Sequence, residues 1–532
     1  MTEKAPQETE RIRAAEVIAA SCLATDLGMG FPFEHGLHAT LMTMRLADLL
    51  GVDSETASQT YYASLLMYSG CTTDAEVAIQ IFGGGMTKNV THRQFGSATE
   101  TLKGVVRALP SPDSSPLRRA AEVAWRLPKA TGYRKPHFTA MCEVATMLAE
   151  RLGLPPSVNK LFAFLTERWD GKGILDRATG EEIPLPLRIV HTARDAAYQR
   201  LIGSDEQVVD TIRQRAGHAF DPEIANLLAD EAGEVLAAAD APESVWEATL
   251  AVEPRPWLTL EGEAIDRALA AMGDFADLVS PSLAGHSKGV ADLASTAAGL
   301  VGLDTIDAVA LRRAALVHDV GRVAAHPKIW QKPGPLTPDE WEHVRLHAYH
   351  TGRILFRSPF LASLADVACA HHERLDGSGY HRGVNAGALP PAARLLAVAD
   401  AFHAMIEPRP YREPLSPEKA AAVLGEEAKA GRQDPGMVAA VLEAAGQPSL
   451  PVERPAGLTE REVEIVGLLA QGLQTKQMAR ALDISVKTAD RHIQNAYRKI
   501  GVSTRAAATL FAAEHGLVPW GELPITRGET RP

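Results

Sequence analysis

The run His371-His372-Glu373-Arg374-Leu375-Asp376-Gly377-Ser378-Gly379-Tyr380 lies downstream of a His318-Asp319 dipeptide and upstream of Asp400, and no packing requirement asks for such a string. Imidazoles and carboxylates drawn from separate helices can hold two cations while leaving positions open for water and phosphate, which is the chemistry of a di-metal phosphohydrolase. A second concentration of functional residues lies near the C-terminus. Residues 476–505 carry Lys476, Arg480, Lys487, Arg491, Arg498, Lys499 and Arg505 against Asp483 and Asp490, which is 7 minus 2, or +5. The whole chain has a net charge of -12, so DNA binding is confined to such a local segment. These residues lead us to expect catalysis or ligand sensing joined to transcription.

Both sites need scaffolds. A length of 532 residues suggests three or four domains. Aromatic residues are only 5% of the chain, and Gly/Pro clusters separate segments whose apolar residues recur at helical spacing, so the fold class reads as all-α, with no alternating strand pattern. Cys22, Cys71, Cys142 and Cys369 form no CxxC pair and are too sparse for a disulfide framework, which suits buried thiols in a reducing compartment. The segment from Met1 to Arg13 is polar and charged rather than a signal peptide, and no apolar run approaches a membrane span. A cytoplasmic protein without membrane attachment is expected.

The chain contains a long-period repeat. His35 precedes Gly70 by 35 residues, and His286 precedes Gly321 by the same 35. Leu50-Gly51-Val52 matches Val301-Gly302-Leu303, Ala63 to Leu66 matches Ala314 to Val317, and Glu167 to Gly173 matches Glu373 to Gly379. Arg194-Asp195-Ala196 matches Ala399-Asp400-Ala401, and Phe220-Asp221-Pro222 matches Gln433-Asp434-Pro435. The copies differ where chemistry would sit: His318-Asp319 falls at Met67-Tyr68, and His371-His372 at Leu165-Thr166. Copy one is therefore expected to bind no metal pair and to serve as a structural brace, with a sensor or dimerisation half as alternatives. It also holds about 45 extra residues between Gly70 and Glu167, including Gly83-Gly84-Gly85, expected to form a loop and additional helices.

Residues 286–412 resemble the HD-GYP branch of the HD phosphohydrolase superfamily. The family pattern His, His-Asp, His, His-His, Asp appears in order as His286, His318-Asp319, His347, His371-His372 and Asp400. The resemblance implies that these seven residues ligate two metals, that Asp319 bridges them, and that cyclic di-GMP or a related phosphodiester is hydrolysed. Arg322 takes the place of the family's usual lysine, and Arg409 and Arg412 match positions that contact substrate phosphates, where guanidinium forks suit the oxygens. Two departures stand out: Ser282 occupies the place of a glutamate that holds a third metal in some members, and the GYP tripeptide is Gly379-Tyr380-His381. Iron, manganese and zinc all suit the ligand types. His326, His343, His350, His381 and His403 lie outside the pattern and read as surface or hydrogen-bonded side chains, and Glu373 and Asp376 as turn residues.

At the C-terminal end Leu458-Thr459-Glu460-Arg461-Glu462 reads as a capping box opening a helix that Gly472 ends. Thr475 to Leu482, a turn at Asp483-Ile484-Ser485, and Val486 to Ile500 then give a helix-turn-helix. This stretch resembles the LuxR-type (GerE-like) DNA-binding domain. That resemblance implies that Val486 to Ile500 enters the major groove with Lys487, Thr488, Arg491 and His492 facing DNA, and that Lys476 and Arg498 meet phosphate. Ser503 to His515 would be a fourth helix and a dimer contact, so a homodimer is expected. The expected organisation is a polar tail (1–12), a degenerate HD-GYP-like bundle (13–235), a linker (236–262), a metal-binding HD-GYP-like bundle (263–443), a linker (444–456), the LuxR-type domain (457–518) and a tail (519–532). The reading is a DNA-binding transcriptional regulator with a di-metal phosphodiesterase domain. The alternative is a non-catalytic regulator that senses a phosphorylated ligand or metal through the same centre.

Overall fold

A computed structural model describes residues 10–70, 95–110, 114–240, 243–448, 455–515 and 517; Cys71, Gly83-Gly84-Gly85 and the 519–532 tail lie outside them. The helices that matter here are α1 (Ala14–Met29), α2 (His35–Leu49), α3 (Ser54–Leu66), α4 (Ala98–Ala108), α5 (Pro116–Arg151), α6 (Leu185–Arg200), α7 (Glu263–Asp277), α8 (His286–Leu300), α9 (Thr305–Val317), α10 (His347–Leu355), α11 (Pro391–Ile406), α12 (Glu460–Ala470), α13 (Thr475–Ala481), α14 (Val486–Ile500) and α15 (Arg505–Glu514). The all-α class holds. Among the described residues no helix is long and apolar enough to cross a membrane. The chain divides into two compact bodies, residues 1–287 with 319–363, and residues 288–318 with 364–532.

The repeat is visible in matching elements. Helices α2 and α8 have 15 residues each, α3 and α9 have 13, and α6 and α11 have 16. Their ends are set by the same local chemistry. Asp53 accepts from Thr56 N and Asp304 from Asp307 N at the starts of α3 and α9, satisfying amides that a helix N-terminus leaves orphaned. Gly51 and Gly302 take positive φ between the paired helices, where a Cβ would be strained. The insertion in copy one forms the expected additional helices, α4 and the first half of the 36-residue α5 among them.

The first body contains one feature that sequence reading did not supply. Strand β1 (Arg11–Arg13) pairs antiparallel with β2 (Thr259–Glu261), with Ile12 opposite Leu260. Three residues are too few for an alternation to be read, but the central pair is buried. Arg13 donates to the buried Glu253 carboxylate and stacks over the Trp257 ring at 4.0 Å, and the Tyr62 hydroxyl donates to Glu253 at 2.6 Å. The range read as a linker, 236–262, therefore carries the helix Val245–Ala251, whose Trp246, Thr249 and Leu250 are buried, as well as β2. The range read as a polar tail, 1–12, ends inside β1. Burial of apolar side chains on one face of these short segments makes Arg11–Arg13 and residues 243–262 parts of the first body.

The described cysteines Cys22, Cys142 and Cys369 are buried and free, and burial pushes the Cys142 thiol up to about 11 and the Cys369 thiol up to about 12. They behave as small core side chains rather than as reactive thiols.

Candidate metal centre and nucleic-acid interface

In the first body Asp319 precedes the short 3-10 turn Val320–Ala324 and is buried. His286, at the start of α8, places Nε2 3.6 Å from Asp319 Oδ2, and His347, at the start of α10, places Nε2 3.2 Å from Oδ1. Gly321 allows this approach: a Cβ there would lie 2.2 Å from both the His347 carbonyl oxygen and the Thr351 amide nitrogen. Its own N–H donates to Thr351 Oγ1 at 3.0 Å. Arg322, also buried, donates to Asp319, lies 3.8 Å from Asp277 Oδ1, and sits over the Trp330 ring at 5.3 Å.

Asp277 is a residue that sequence reading missed. It ends α7, is buried, and accepts from Ser287 N and Ser287 Oγ at 2.9 Å each. Burial pushes its carboxyl up to about 6, while Arg322 and His286 act in the opposite direction. The available signal was the repeat itself, since Asp26 stands the same ten residues before Gly36 and accepts its N–H.

In the second body His318, next in the chain to Asp319, follows α9 and brings Nε2 to 3.8 Å from Asp400 Oδ1. His372 Nδ1 lies 3.7 Å from Asp400 Oδ2. The His371 ring meets that of His318 edge-on at 4.7 Å and that of His372 at 4.2 Å. His318 and His371 donate Nδ1–H to the carbonyls of Ala315 and Ala368, at 2.7 and 2.6 Å. In the first body His347 does the same to Val344. A carbonyl can only accept, so each bond fixes the tautomer and leaves Nε2 with its lone pair, as a metal-ligating imidazole requires. The carboxylate-to-imidazole separations run from 3.2 to 3.8 Å, the shortest within, and the others a few tenths of an ångström beyond, the roughly 3 to 3.5 Å between two donors bound at about 2.0–2.2 Å to one ion. Ligand type and tautomer suit divalent cations.

The Glu373 to Tyr380 loop braces His372. Glu373 is buried and accepts from Arg382 N at 2.7 Å and Val384 N at 3.0 Å. Tyr380 N donates to His372 O at 3.0 Å, and the Tyr380 ring stacks on His372 at 4.6 Å. Asp376 accepts from Ser378 N. Both acids have the turn roles expected of them.

The phosphate-binding candidates are anchored within the second body. Arg409 donates to Glu407 Oε2 at 2.9 Å. Arg412 donates to the carbonyls of Ala404, Met405 and Glu407 at 2.6, 3.0 and 3.4 Å, covering oxygens that the C-terminus of α11 leaves orphaned. His403 Nδ1 lies 3.1 Å from Glu407 Oε1, and a Cβ on Gly289 would come within 2.0 Å of its Nε2. His326 Nδ1 accepts from Lys328 N and His343 Nδ1 donates to Asp339 O, the hydrogen-bonded roles expected outside the metal pattern.

Copy one places different groups at the matching positions. Arg194 stands at the position of Ala399, is 2% exposed, donates to Gly36 O at 3.2 Å, and lies over the Tyr68 ring at 4.8 Å. Tyr68 itself replaces Asp319. Asp195, at the position of Asp400, is paired with Arg215 at 2.5 Å. His35, at the position of His286, packs against Phe31 at 4.9 Å, and burial followed by the Arg194 charge pulls it down to about 3. A guanidinium and aromatic rings thus occupy copy one's counterpart of the cation centre.

At the C-terminal end Thr459 and Glu462 form the expected capping box on α12. Helix α14 buries Ala489, Ile493 and Ala496, packing Ile493 with Ile465, Leu469 and Met478. Lys487 and Arg491 are exposed, as are Lys476 and Arg498, while His492 is half-buried. Thr488 is tied into the N-cap, donating its N–H to Ser485 Oγ at 3.0 Å with the two hydroxyls 2.7 Å apart. Asp483 adopts φ 49 in the turn, a conformation that aspartate tolerates better than most side chains. Lys499 donates to Glu462 at 2.6 Å, and Arg505 donates to the carbonyls of Leu469 and Leu473. Those two cations hold the domain together.

Residues 270–437 match the HD domain family, and residues 456–512 match the luxR family of bacterial regulatory proteins. The chain is 28% identical over 416 residues to a 3'3'-cGAMP-specific phosphodiesterase of Vibrio cholerae, a match covering 77% of this chain and 90% of that protein. It is 39% identical over 137 residues to a cyclic di-GMP phosphodiesterase of Thermotoga maritima, covering 25% of this chain and 37% of that one. A solved structure of a cyclic GMP-AMP specific phosphodiesterase from V. cholerae superimposes with a TM-score of 0.55 at 25% identity, covering 84% of this chain and all of that one. This chain therefore joins an HD domain to a C-terminal luxR-family helix-turn-helix domain, and its homologues are cyclic dinucleotide phosphodiesterases.

Proposed function

We propose that the chain is a DNA-binding transcriptional regulator whose HD domain is a metal-dependent phosphodiesterase acting on a cyclic dinucleotide. We take His286, Asp319 and His347 of the first body and His318, His371, His372 and Asp400 of the second as the metal ligands, in the order of the family pattern. The reading rests on the shared hydrogen bonding of His318, His347 and His371, which aims Nε2 of each away from its own helix. Two bound divalent ions, iron, manganese or zinc, would supply an activated water and charge neutralisation at phosphorus. The protein's part is to hold Asp319 between Nε2 of His286 and His347, and to place Arg322, Arg409 and Arg412 as cations for phosphate oxygens. The relatives' names supply two substrates to test, 3'3'-cGAMP and cyclic di-GMP. Hydrolysis of at least one by metal-loaded protein, absent in His371→Ala, is expected. Equal turnover by that variant rejects the ligand assignment.

One observation favours binding without cleavage. Arg412 is committed to main-chain carbonyls and Arg409 to Glu407, so neither guanidinium is presented whole to a substrate. Turnover of either nucleotide rejects that alternative.

The DNA reading places Lys487, Thr488, Arg491 and His492 of α14 at base edges and Lys476 and Arg498 at phosphates. Helix α15 is the dimer contact. Lys487→Ala with Arg491→Ala should weaken duplex binding and level its sequence preference, and Arg498→Ala should reduce the slope of log affinity against log salt by about 1. An unchanged slope rejects α14 as the DNA-contacting helix, and a monomer in sedimentation at micromolar concentration rejects the dimer.

A further inference from the structure

The first half of α5 is as basic as the DNA-binding segment, and the phosphodiesterase chemistry does not use it. Residues 116–135 carry Arg118, Arg119, Arg126, Lys129, Arg134 and Lys135 against Glu122 alone, 6 minus 1, or +5. The excess persists in a chain with a net charge of -12. All of these cations except the half-buried Arg126 are exposed. Like charges three or four residues apart on a helix repel by a few tenths of a kcal/mol per pair, as Arg126 and Lys129 do, so helix stability does not explain the pattern. A Cβ on Gly70 would meet the Met141 carbonyl as one on Gly321 would meet that of His347, so the second half of α5 is copy one's counterpart of α10, and only its first half falls in the stretch by which copy one is longer.

The two faces of this half-helix differ. Its inner face, with Val123, Leu127, Ala130 and Tyr133, packs with Val105, Ala108 and Leu109 of α4. Its outer face aligns Arg118, Trp125 and Lys129, seven and four residues apart. Trp125 is 63% exposed, with Lys129 Nζ 3.6 Å from the ring centroid. Toward the end of the segment the Arg134 and Arg168 charges repel one another, a crowding of cations that a bound polyanion would relieve.

We propose that this outer face of α5 is a second DNA-binding surface, touching the phosphate backbone without reading sequence. The proposal builds on the DNA-binding reading of the C-terminal domain. DNA fits better than a lipid surface because a membrane-lying helix must present its apolar face outward. In α5 that face is covered by α4, and only Leu117 and Trp125 of the large apolar side chains in residues 116–135 point to solvent.

The test uses the full chain carrying Lys487→Ala with Arg491→Ala, and follows fluorescence anisotropy of a labelled ~40-bp duplex of arbitrary sequence between about 50 and 200 mM salt. Residual, salt-dependent binding is expected. Adding Arg118→Ala, Arg119→Ala and Lys129→Ala should lower the slope of log affinity against log salt by up to about 3, at about 0.9 for each phosphate no longer neutralised. Adding Arg118→Lys, Arg119→Lys and Lys129→Arg instead should preserve it. Cyclic dinucleotide hydrolysis by each α5 set should equal that of the Lys487→Ala, Arg491→Ala parent, which verifies folding. The proposal is overturned if no residual binding exists, if the alanine set leaves the slope unchanged, or if that set abolishes binding to phosphatidylglycerol vesicles while DNA binding is untouched. Failure of the C-terminal reading is a separate result, seen when Lys487→Ala with Arg491→Ala leaves total DNA binding unchanged.

Discussion

His318, His347 and His371 each commit Nδ1 to a carbonyl three residues earlier, and this local geometry leaves Nε2 of each oriented for the proposed metal. Copy one shows the contrasting solution. There Arg194, fully enclosed and next to Asp26, supplies the positive charge from within the chain, and burial still holds the Asp26 carboxyl up at about 7. Arg194 donates to Gly36 O while Asp26 accepts from Gly36 N, and leaving a buried acceptor without its donor costs about 1–3 kcal/mol, so Arg194→Ala should destabilise the first body by that order in urea unfolding. A loss below about 1 kcal/mol would show that Arg194 is not the balancing charge. His191 gives a pH prediction. It is buried and pulled down to about 4 from 6.5, so the folded state keeps it neutral where the unfolded chain binds a proton. Its contribution is complete above pH 6.5 and is lost as pH falls toward 4, at about 1.4 kcal/mol per pH unit. His191→Asn should flatten the stability profile by that slope in this window, and an unchanged profile would contradict the assignment.

At the scale of elements, the legible parts of the sequence were those written in local chemistry. Asp53 and Asp304, Gly51 and Gly302, and the Thr459–Glu462 capping box set helix ends, and these signals lie within four residues of what they control. The partners of long-range interactions were not legible. Nothing near Asp277 marks it as facing Arg322, which lies 45 positions on; nothing near Glu253 marks it as the partner of Arg13. Arg412 could be placed beside Asp400 by motif, yet its use as a cap for α11 depends on backbone geometry. Lys499 and Arg505 count toward the basic charge of 476–505, and their partners, Glu462 and the Leu469 carbonyl, lie within the domain. Gly321 connects the two levels, because its missing side chain sets the distance between Asp319 and α10. Gly321→Ala would force a Cβ against the His347 carbonyl, so it should lower metal occupancy and turnover together while leaving DNA affinity intact. Full metal content in that variant would show that α10 can shift without cost.

For the whole molecule, metal binding and stability should be linked, because ions that bind only the folded ligand set stabilise it by mass action, about 4 kcal/mol at a thousandfold excess over Kd. Chelation should therefore lower the unfolding midpoint of native protein and leave that of His318→Ala with Asp319→Ala unmoved. The catalytic and DNA-binding modules share one chain, so the same preparation can report on both. The most direct measurement is elemental analysis of anaerobically purified protein, run alongside hydrolysis of 3'3'-cGAMP and cyclic di-GMP. About two metals per chain with turnover of at least one nucleotide is the predicted result, both lost in His318→Ala with Asp319→Ala and DNA binding retained. Turnover that survives the double substitution, or protein that takes up no metal under any loading condition, would contradict the assignment of the histidine–aspartate centre.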